Sequence, residues 1–116
     1  MIKGMAFVAY SVNDVPRAVA FYRDIVGLKQ AGLASDYWVE FDAGDTTFGI
    51  GRGEGLGIAP GSAFSAAFEV DDLTQARERL VKHGVKVTEI QEGPVCSSCF
   101  ATDPDGNRFA LHQRKV

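Results

Sequence analysis

Hydrophobic and polar positions alternate over residues 5 to 12 and predict a strand, with Val8, Tyr10 and Val12 on one face and Phe7, Ala9 and Ser11 on the other. Asn13 or Asp14 then offers an N-cap, and Pro16 falls in the first helical turn, where its missing N–H costs nothing. Val15, Ala18, Val19, Tyr22 and Ile25 or Val26 recur at helical spacing until Gly27 ends the run. Three further strands are predicted at about 28 to 33, 37 to 42 and 46 to 51, so the first half of the chain reads βαβββ.

The pattern then repeats. Val12-Asn13-Asp14-Val15-Pro16-Arg17-Ala18, which ends a strand and opens a helix, returns as Val70-Asp71-Asp72-Leu73-Thr74-Gln75-Ala76. Between the copies, residues 51 to 61 hold five glycines and one proline, a composition that reads as a linker. The second copy predicts a strand at 64 to 70 and a helix at about 72 to 83, with Leu73, Ala76, Leu80 and Val81 as its buried face and Gly84 as its stop. Strands at about 85 to 91, 95 to 102 and 107 to 113 follow, the last two joined by a turn through Asp103-Pro104-Asp105-Gly106-Asn107. A duplicated unit implies a pseudo-twofold axis and a site where the two halves face each other.

With 116 residues the chain is expected to be one domain, 1–116, built of module one (about 1–51), the linker (51–61) and module two (about 62–116). Apolar residues at 46% beside charged residues at 23% describe a soluble globular protein. A net charge of -3 with no Lys/Arg cluster argues against a nucleic-acid partner. The start Met1-Ile2-Lys3-Gly4 lacks a signal-peptide core and no apolar run is long enough to span a membrane, so cytoplasmic residence and no membrane partner are expected. Cys96 and Cys99, if in a strand, put their Cα atoms about 10 Å apart on opposite faces, too far for a bridge. They are expected to be reduced thiols.

Three segments carry a family resemblance. They are Asp14 through Gly27 with Ala20-Phe21-Tyr22-Arg23-Asp24 inside, Phe68-Glu69-Val70-Asp71-Asp72-Leu73, and Asp103-Pro104-Asp105-Gly106-Asn107 before a final strand. In these the chain resembles the vicinal oxygen chelate superfamily of glyoxalase I, extradiol dioxygenases and the fosfomycin and bleomycin resistance proteins. The resemblance implies an α+β fold of two βαβββ modules whose curved mixed sheets form a cup, usually in a homodimer. It also implies, in the family's enzymes, a divalent metal held by one side chain from the first and one from the last strand of each module. Those positions fall on Phe7 and Ser65, and on Gly49 and Ala110. None supplies imidazole or carboxylate, so no metal and no other cofactor is expected. A one-residue slip brings Val8, Ala66, Ile50 and Leu111, which are apolar too.

Carrying the parity of those positions along each strand lists the residues expected to line the cup. They are Met5, Phe7, Ala9 and Ser11; Ser65, Ala67 and Glu69; Thr47, Gly49 and Gly51; Arg108, Ala110 and His112; and Trp38, Glu40 and Asp42. Tyr37, Val39 and Phe41 are expected to face the core. Phe7 and Trp38 offer flat apolar surface to a planar or cationic ligand, with Ser65, Arg108, Ala110 and Gly49 around it. His112 is the candidate acid or base, oriented by Glu40 or Glu69, whereas His83 reads as a charge favourable to a helix C-terminus. No Gly-x-Ser-x-Gly elbow or phosphate loop is present, and Ser97 and Ser98 have no base partner at the level of motif.

Two functions stay open on these residues, beside a third reading as a dimerisation scaffold whose cup is filled by its own side chains. One is a homodimeric binding protein, similar to bleomycin resistance proteins, that holds an aromatic or cationic small molecule. The other is a lyase- or isomerase-type enzyme using His112 with Glu40 or Glu69, metal-free or with a relocated metal.

Overall fold

The structure, a computed structural model, describes residues 1–53, 59–63 and 66–115. Module one runs β1 (Phe7–Val12), α1 (Val15–Ala20), a widened helical continuation (Phe21–Val26), β2 (Lys29–Ala34), β3 (Trp38–Ala43) and β4 (Thr46–Arg52). Module two runs β5 (Ala66–Glu69), α2 (Leu73–Lys82), β6 (Gln91–Glu92), β7 (Cys96–Thr102) and β8 (Arg108–Arg114). Each module forms one four-stranded mixed sheet with the same connectivity, β1-β4-β3-β2 and β5-β8-β7-β6. The first and last strands of each module pair in parallel, and every other pair is antiparallel.

Both helices start as their sequences dictate. The Asp14 carboxylate accepts from Arg17 N at 3.0 Å and the Asp72 carboxylate from Gln75 N at 3.0 Å. The first helix departs from a plain α-helix after Ala20. Gly27 N and Leu28 N both donate to Tyr22 O, at 3.1 and 2.9 Å, and Gly27 ends the helix at φ +96°. In this wider turn the adjacent Phe21 and Tyr22 are both buried. In α2 the burial of Leu73 and Leu80 matches the pattern, but Val81 is 50% exposed because it lies about 100° round the helix from Leu80.

The segment expected as a strand at 85 to 91 is mostly not one. Val87 makes a single bridge to Ala101, and only Gln91–Glu92 pairs as a strand. Here Phe100 N donates to the Thr88 hydroxyl at 2.9 Å instead of a backbone carbonyl, which breaks the ladder. Tyr37 is also not a core residue. It precedes β3, is 64% exposed, and lies under the Arg52 guanidinium at 5.6 Å. Cys96 and Cys99 are unpaired and alternate in burial along β7, and burial pushes the Cys99 thiol up.

One apolar core joins the modules. Tyr10, Tyr22, Phe41, Phe48 and Ile50 of the first pack with Leu80, Phe109 and Leu111 of the second. Ring centroids lie 5.2 Å apart for Phe48–Phe68, 5.8 Å for Phe68–Phe109 and 5.9 Å for Tyr22–Phe109. These are the faces of the sheets opposite to the predicted cup. No helix among the described residues is long and apolar enough to cross a membrane.

Candidate functional site

The Asp103–Asn107 turn is a clamp between modules. Asp103, buried, accepts from Tyr22 Oη at 2.7 Å, Asn107 N at 2.8 Å, Asp105 N at 2.9 Å and Asn107 Nδ2 at 3.0 Å. Asn107 Nδ2 also reaches Ser11 O, its Oδ1 accepts from Ala63 N, and Gly106 takes the φ of +94° that closes the turn. Asp105 Oδ1 accepts from Asn13 N and Arg17 Nη2 at 2.9 and 2.8 Å. Tyr10 adds a second tie, donating to Arg108 O and accepting from Ala66 N. Burial, then the charge and hydrogen bond of Asp103, hold the Tyr22 phenol far above its ordinary pKa, so it stays a neutral donor. This motif binds the chain to itself, and Asp105 Oδ2 is its one buried side-chain oxygen without a hydrogen-bond partner among the described residues.

The predicted lining residues divide into two sets on separate sheets. On the first sheet, the register Ser11↔Gly51↔Trp38 and Ala9↔Gly49↔Glu40 places these residues, with Phe7 and Thr47, on the face away from the core. The indole of Trp38 extends over Gly49, so that a Cβ there would run into its six-membered ring. Phe7 stands edge-on to Trp38 at 5.2 Å and 74°. Trp38 Nε1 donates to Glu40 Oε2 at 2.8 Å, and Glu40 Oε1 accepts from Leu33 N at 3.3 Å. Gly49 makes this possible: a side chain there would exclude the indole. Of the remaining first-strand positions, Met5 precedes β1 and is exposed, and Ser11 is buried.

On the second sheet, Ala67↔Ala110↔Phe100 and Glu69↔His112↔Ser98 lie in adjacent rows, with Arg108 a row beyond Ala110. His112 Nδ1 is 2.6 Å from Glu69 Oε1, and Arg114 N donates to Glu69 Oε2 at 2.8 Å. These two bonds, His112 first, hold the Glu69 carboxyl below its ordinary pKa. Glu69 is therefore ionised near neutrality, which makes Nδ1 the protonated nitrogen and leaves Nε2 as the basic one. His112 thus meets Glu69, and Glu40 belongs to the other sheet, bonded to Trp38. Ser65 lies outside the described residues. His83 caps α2, with Nδ1 2.8 Å from Arg79 O.

Of the positions that the resemblance assigns to metal ligands, Phe7, Gly49 and Ala110 are among the described residues. Phe7 offers a ring already packed on Trp38, Gly49 is covered by that indole, and Ala110 carries a methyl group. Among the described residues no group of three or more His, Cys, Asp or Glu is placed to hold a metal. A groove of about 560 Å³ runs beside β4 and β5, past Val8, Phe48, Ala66 and Phe68, with Glu69 at its rim. Its lining takes in Thr47 and Ala67 as well as these core-facing residues, and does not include Trp38.

Parity along the strands was enough to find both sets. What the sequence left open is the partner of each: of Glu40 and Glu69 the structure gives Glu69 to His112 and Glu40 to Trp38, and it sets Ser98 beside His112.

Comparison with known proteins places this geometry. The curated lactoylglutathione lyase of Salmonella typhimurium is 27% identical over 119 aligned positions, covering 90% of this chain and 87% of that one. Among solved structures, TnmS3, an antibiotic binding protein from Streptomyces sp. CB03234, superposes with a TM-score of 0.85 at 24% identity over 98% of each chain. A glyoxalase/bleomycin resistance protein from the same Streptomyces does so at 0.82 and 25% identity, covering 95% of this chain and all of that one (100%). The family model described as the Glyoxalase/Bleomycin resistance protein/Dioxygenase superfamily matches residues 4–111, and the chain belongs to that superfamily.

Proposed function

We propose that the protein binds an aromatic or cationic small molecule, without a metal, in a cup closed between two copies of the chain. One observation carries this reading: the Trp38 indole lies over Gly49 and against Phe7, two positions to which the resemblance assigns metal ligands. A half-buried tryptophan pinned by Glu40 is a rigid surface on which a planar ring stacks at little entropic cost. The carboxylate beside it favours a cationic ligand. The name of TnmS3 as an antibiotic binding protein supports the same direction.

The second copy enters because each half of the lining faces away from the core that the chain's own modules share. β1 and β5 end their sheets, and Phe7 is 50% exposed beside β1's free edge. A twofold dimer would set the Trp38 face of one copy against the His112 face of the other and cover this surface. Cytoplasmic residence belongs to the same reading, and the two free thiols support it.

The test is a titration of the purified protein with planar cationic aromatic compounds, followed by Trp38 fluorescence, with elemental analysis and sedimentation on the same sample. The expected result is quenching with saturation in a metal-free dimer, and an affinity weakened about tenfold or more in Trp38→Ala. Stoichiometric divalent metal, or binding unchanged in Trp38→Ala, would overturn the reading.

A second reading, an enzyme that uses His112 as acid or base, is favoured by the 2.6 Å contact with Glu69. In Trp38→Ala the two part company: binding falls under the first, and under the second the loss appears on His112→Ala as a collapse of turnover.

A further inference from the structure

We propose that Ser98 is a nucleophile in a Glu69–His112–Ser98 row that cleaves aryl esters. The inference rests on the enzymatic reading of His112 and adds to it a residue and a substrate class. Sequence offered no partner for Ser98; register does. His112 lies directly between Glu69 of β5 and Ser98 of β7, so the three side chains stand side by side on one face of the sheet. Cβ atoms of such cross-strand neighbours lie about 4.5–5.5 Å apart.

The row is oriented. Glu69 is fixed through one oxygen by Arg114 N–H and through the other by His112 Nδ1. With Nδ1 engaged by Glu69, Nε2 is the ring nitrogen left to meet a further group. The Ser98 hydroxyl is half-buried and makes no hydrogen bond among the described residues, so it is free to turn to that nitrogen. In unliganded sites such contacts are commonly loose and tighten when substrate binds. Carboxylate, imidazole and hydroxyl in this order are the working parts of acyl transfer on several unrelated folds.

The adjoining row selects the ester. Ala67, Ala110 and Phe100 make an apolar strip beside His112, with the Arg108 guanidinium over the Phe100 ring at 5.6 Å, so that an aromatic ring is received beside a cation. In the reaction Ser98 Oγ bonds to the acyl carbon while His112 Nε2 takes the hydroxyl proton. The bond from that carbon to the aryl oxygen breaks, and His112 returns the proton to the departing phenoxide. Water then attacks the acyl-serine with the same base, releasing the carboxylic acid and restoring Ser98. Glu69 touches no substrate and is a positioning residue.

The experiment uses the full chain in a Cys96→Ser background, which removes the thiol on the same face. Two probes are applied: 4-nitrophenyl acetate for turnover, and a fluorophosphonate that leaves a stable phosphonyl adduct as fluoride departs. Expected are an adduct on Ser98 by peptide mass spectrometry and phenol release that falls about a hundredfold or more in Ser98→Ala and in His112→Ala. Imidazole ¹⁵N spectra should show the Nδ1–H tautomer of His112, lost in Glu69→Gln and kept in Glu69→Asp. An adduct elsewhere, or none, overturns the proposal. Phenol release that survives Ser98→Ala but not His112→Ala also overturns it while leaving the acid–base reading intact, and release indifferent to both variants removes the two together.

Discussion

Asp103 and Glu69 are both carboxylates that accept hydrogen bonds from a ring-bearing side chain, and they sit in opposite circumstances. Asp103 is buried with four donors around it, drawn from Tyr22 of one module and from its own turn in the other. Glu69 is exposed, with one imidazole and one backbone N–H. The first closes a structure; the second leaves a basic nitrogen on an open face. The turn by which the chain resembles its family is thus the part that locks its modules together, and the proposed binding and chemistry are assigned to other faces. Family likeness here reports fold, and activity has to be argued from the open faces.

The largest effect expected follows from breaking the buried member. Asp103→Ala strips Tyr22 Oη, Asn107 N, Asn107 Nδ2 and Asp105 N of their acceptor at once. It should cost about 3–5 kcal/mol, as removal of a buried charged partner does. The urea midpoint measures this, and Glu69→Ala, exposed and bonded to flexible neighbours, should leave that midpoint close to wild type. Equal losses in the two variants would erase the distinction between clamp and site.

The alkaline limb sharpens it further. Tyr22 has its folded pKa raised far above the ordinary 10.0, so above pH 10 the unfolded chain gives up this proton while the folded chain keeps it. Its contribution is fully present below pH 10 and is lost as pH rises, at about 1.4 kcal/mol for each further unit. Tyr22→Phe should be less stable at neutrality and should flatten this limb by one proton. An unchanged slope would mean that Tyr22 ionises in the folded protein and that the clamp is open to solvent.

How much of this was legible beforehand follows one rule. Alternation assigned sides within a strand, so the sets Phe7, Trp38, Glu40 and Glu69, Ala110, His112 emerged on the faces where they lie. It failed where a side chain replaces a backbone partner, as Thr88 does for Phe100, and where a neighbour 100° away on a helix breaks the face, as at Val81. It also misplaced Tyr37, which stands before the strand begins. Most of all, alternation does not say which sheet a face meets. The lining was assigned to one face of each sheet, and the two modules join through the opposite faces, where the aromatic residues of both pack in one core.

Within the first sheet, the indole over Gly49 can be tested by a single methyl group. In Gly49→Ala the new Cβ overlaps the Trp38 ring, which is half-buried and able to swing outward, so the cost should be modest, about 1 kcal/mol. The larger sign is optical. Trp38 displaced from its seat loses its bond to Glu40, and its emission should shift to the red as the ring meets water. Unchanged emission in Gly49→Ala would mean the indole does not rest on this glycine, and with it would go the aromatic floor proposed for the ligand.

The smallest effect belongs to Glu69, and its sign is opposite to that of Tyr22. Its folded pKa is lowered from the ordinary 4.5, by the His112 hydrogen bond first and the Arg114 N–H second. The stability it adds is present above 4.5 and lost as pH falls through the folded value, because protonation then takes away the acceptor that both donors need. Solvent screens so exposed a pair, so the change is a slight flattening of the acid limb in Glu69→Gln, best read against wild type in the same titration. His112→Ala should flatten it in the same way, since the imidazole is the larger cause of the shift. If Glu69→Gln leaves the acid limb as it was, the carboxylate is not held by its imidazole in solution, and Nε2 of His112 has no fixed direction in which to act as a base.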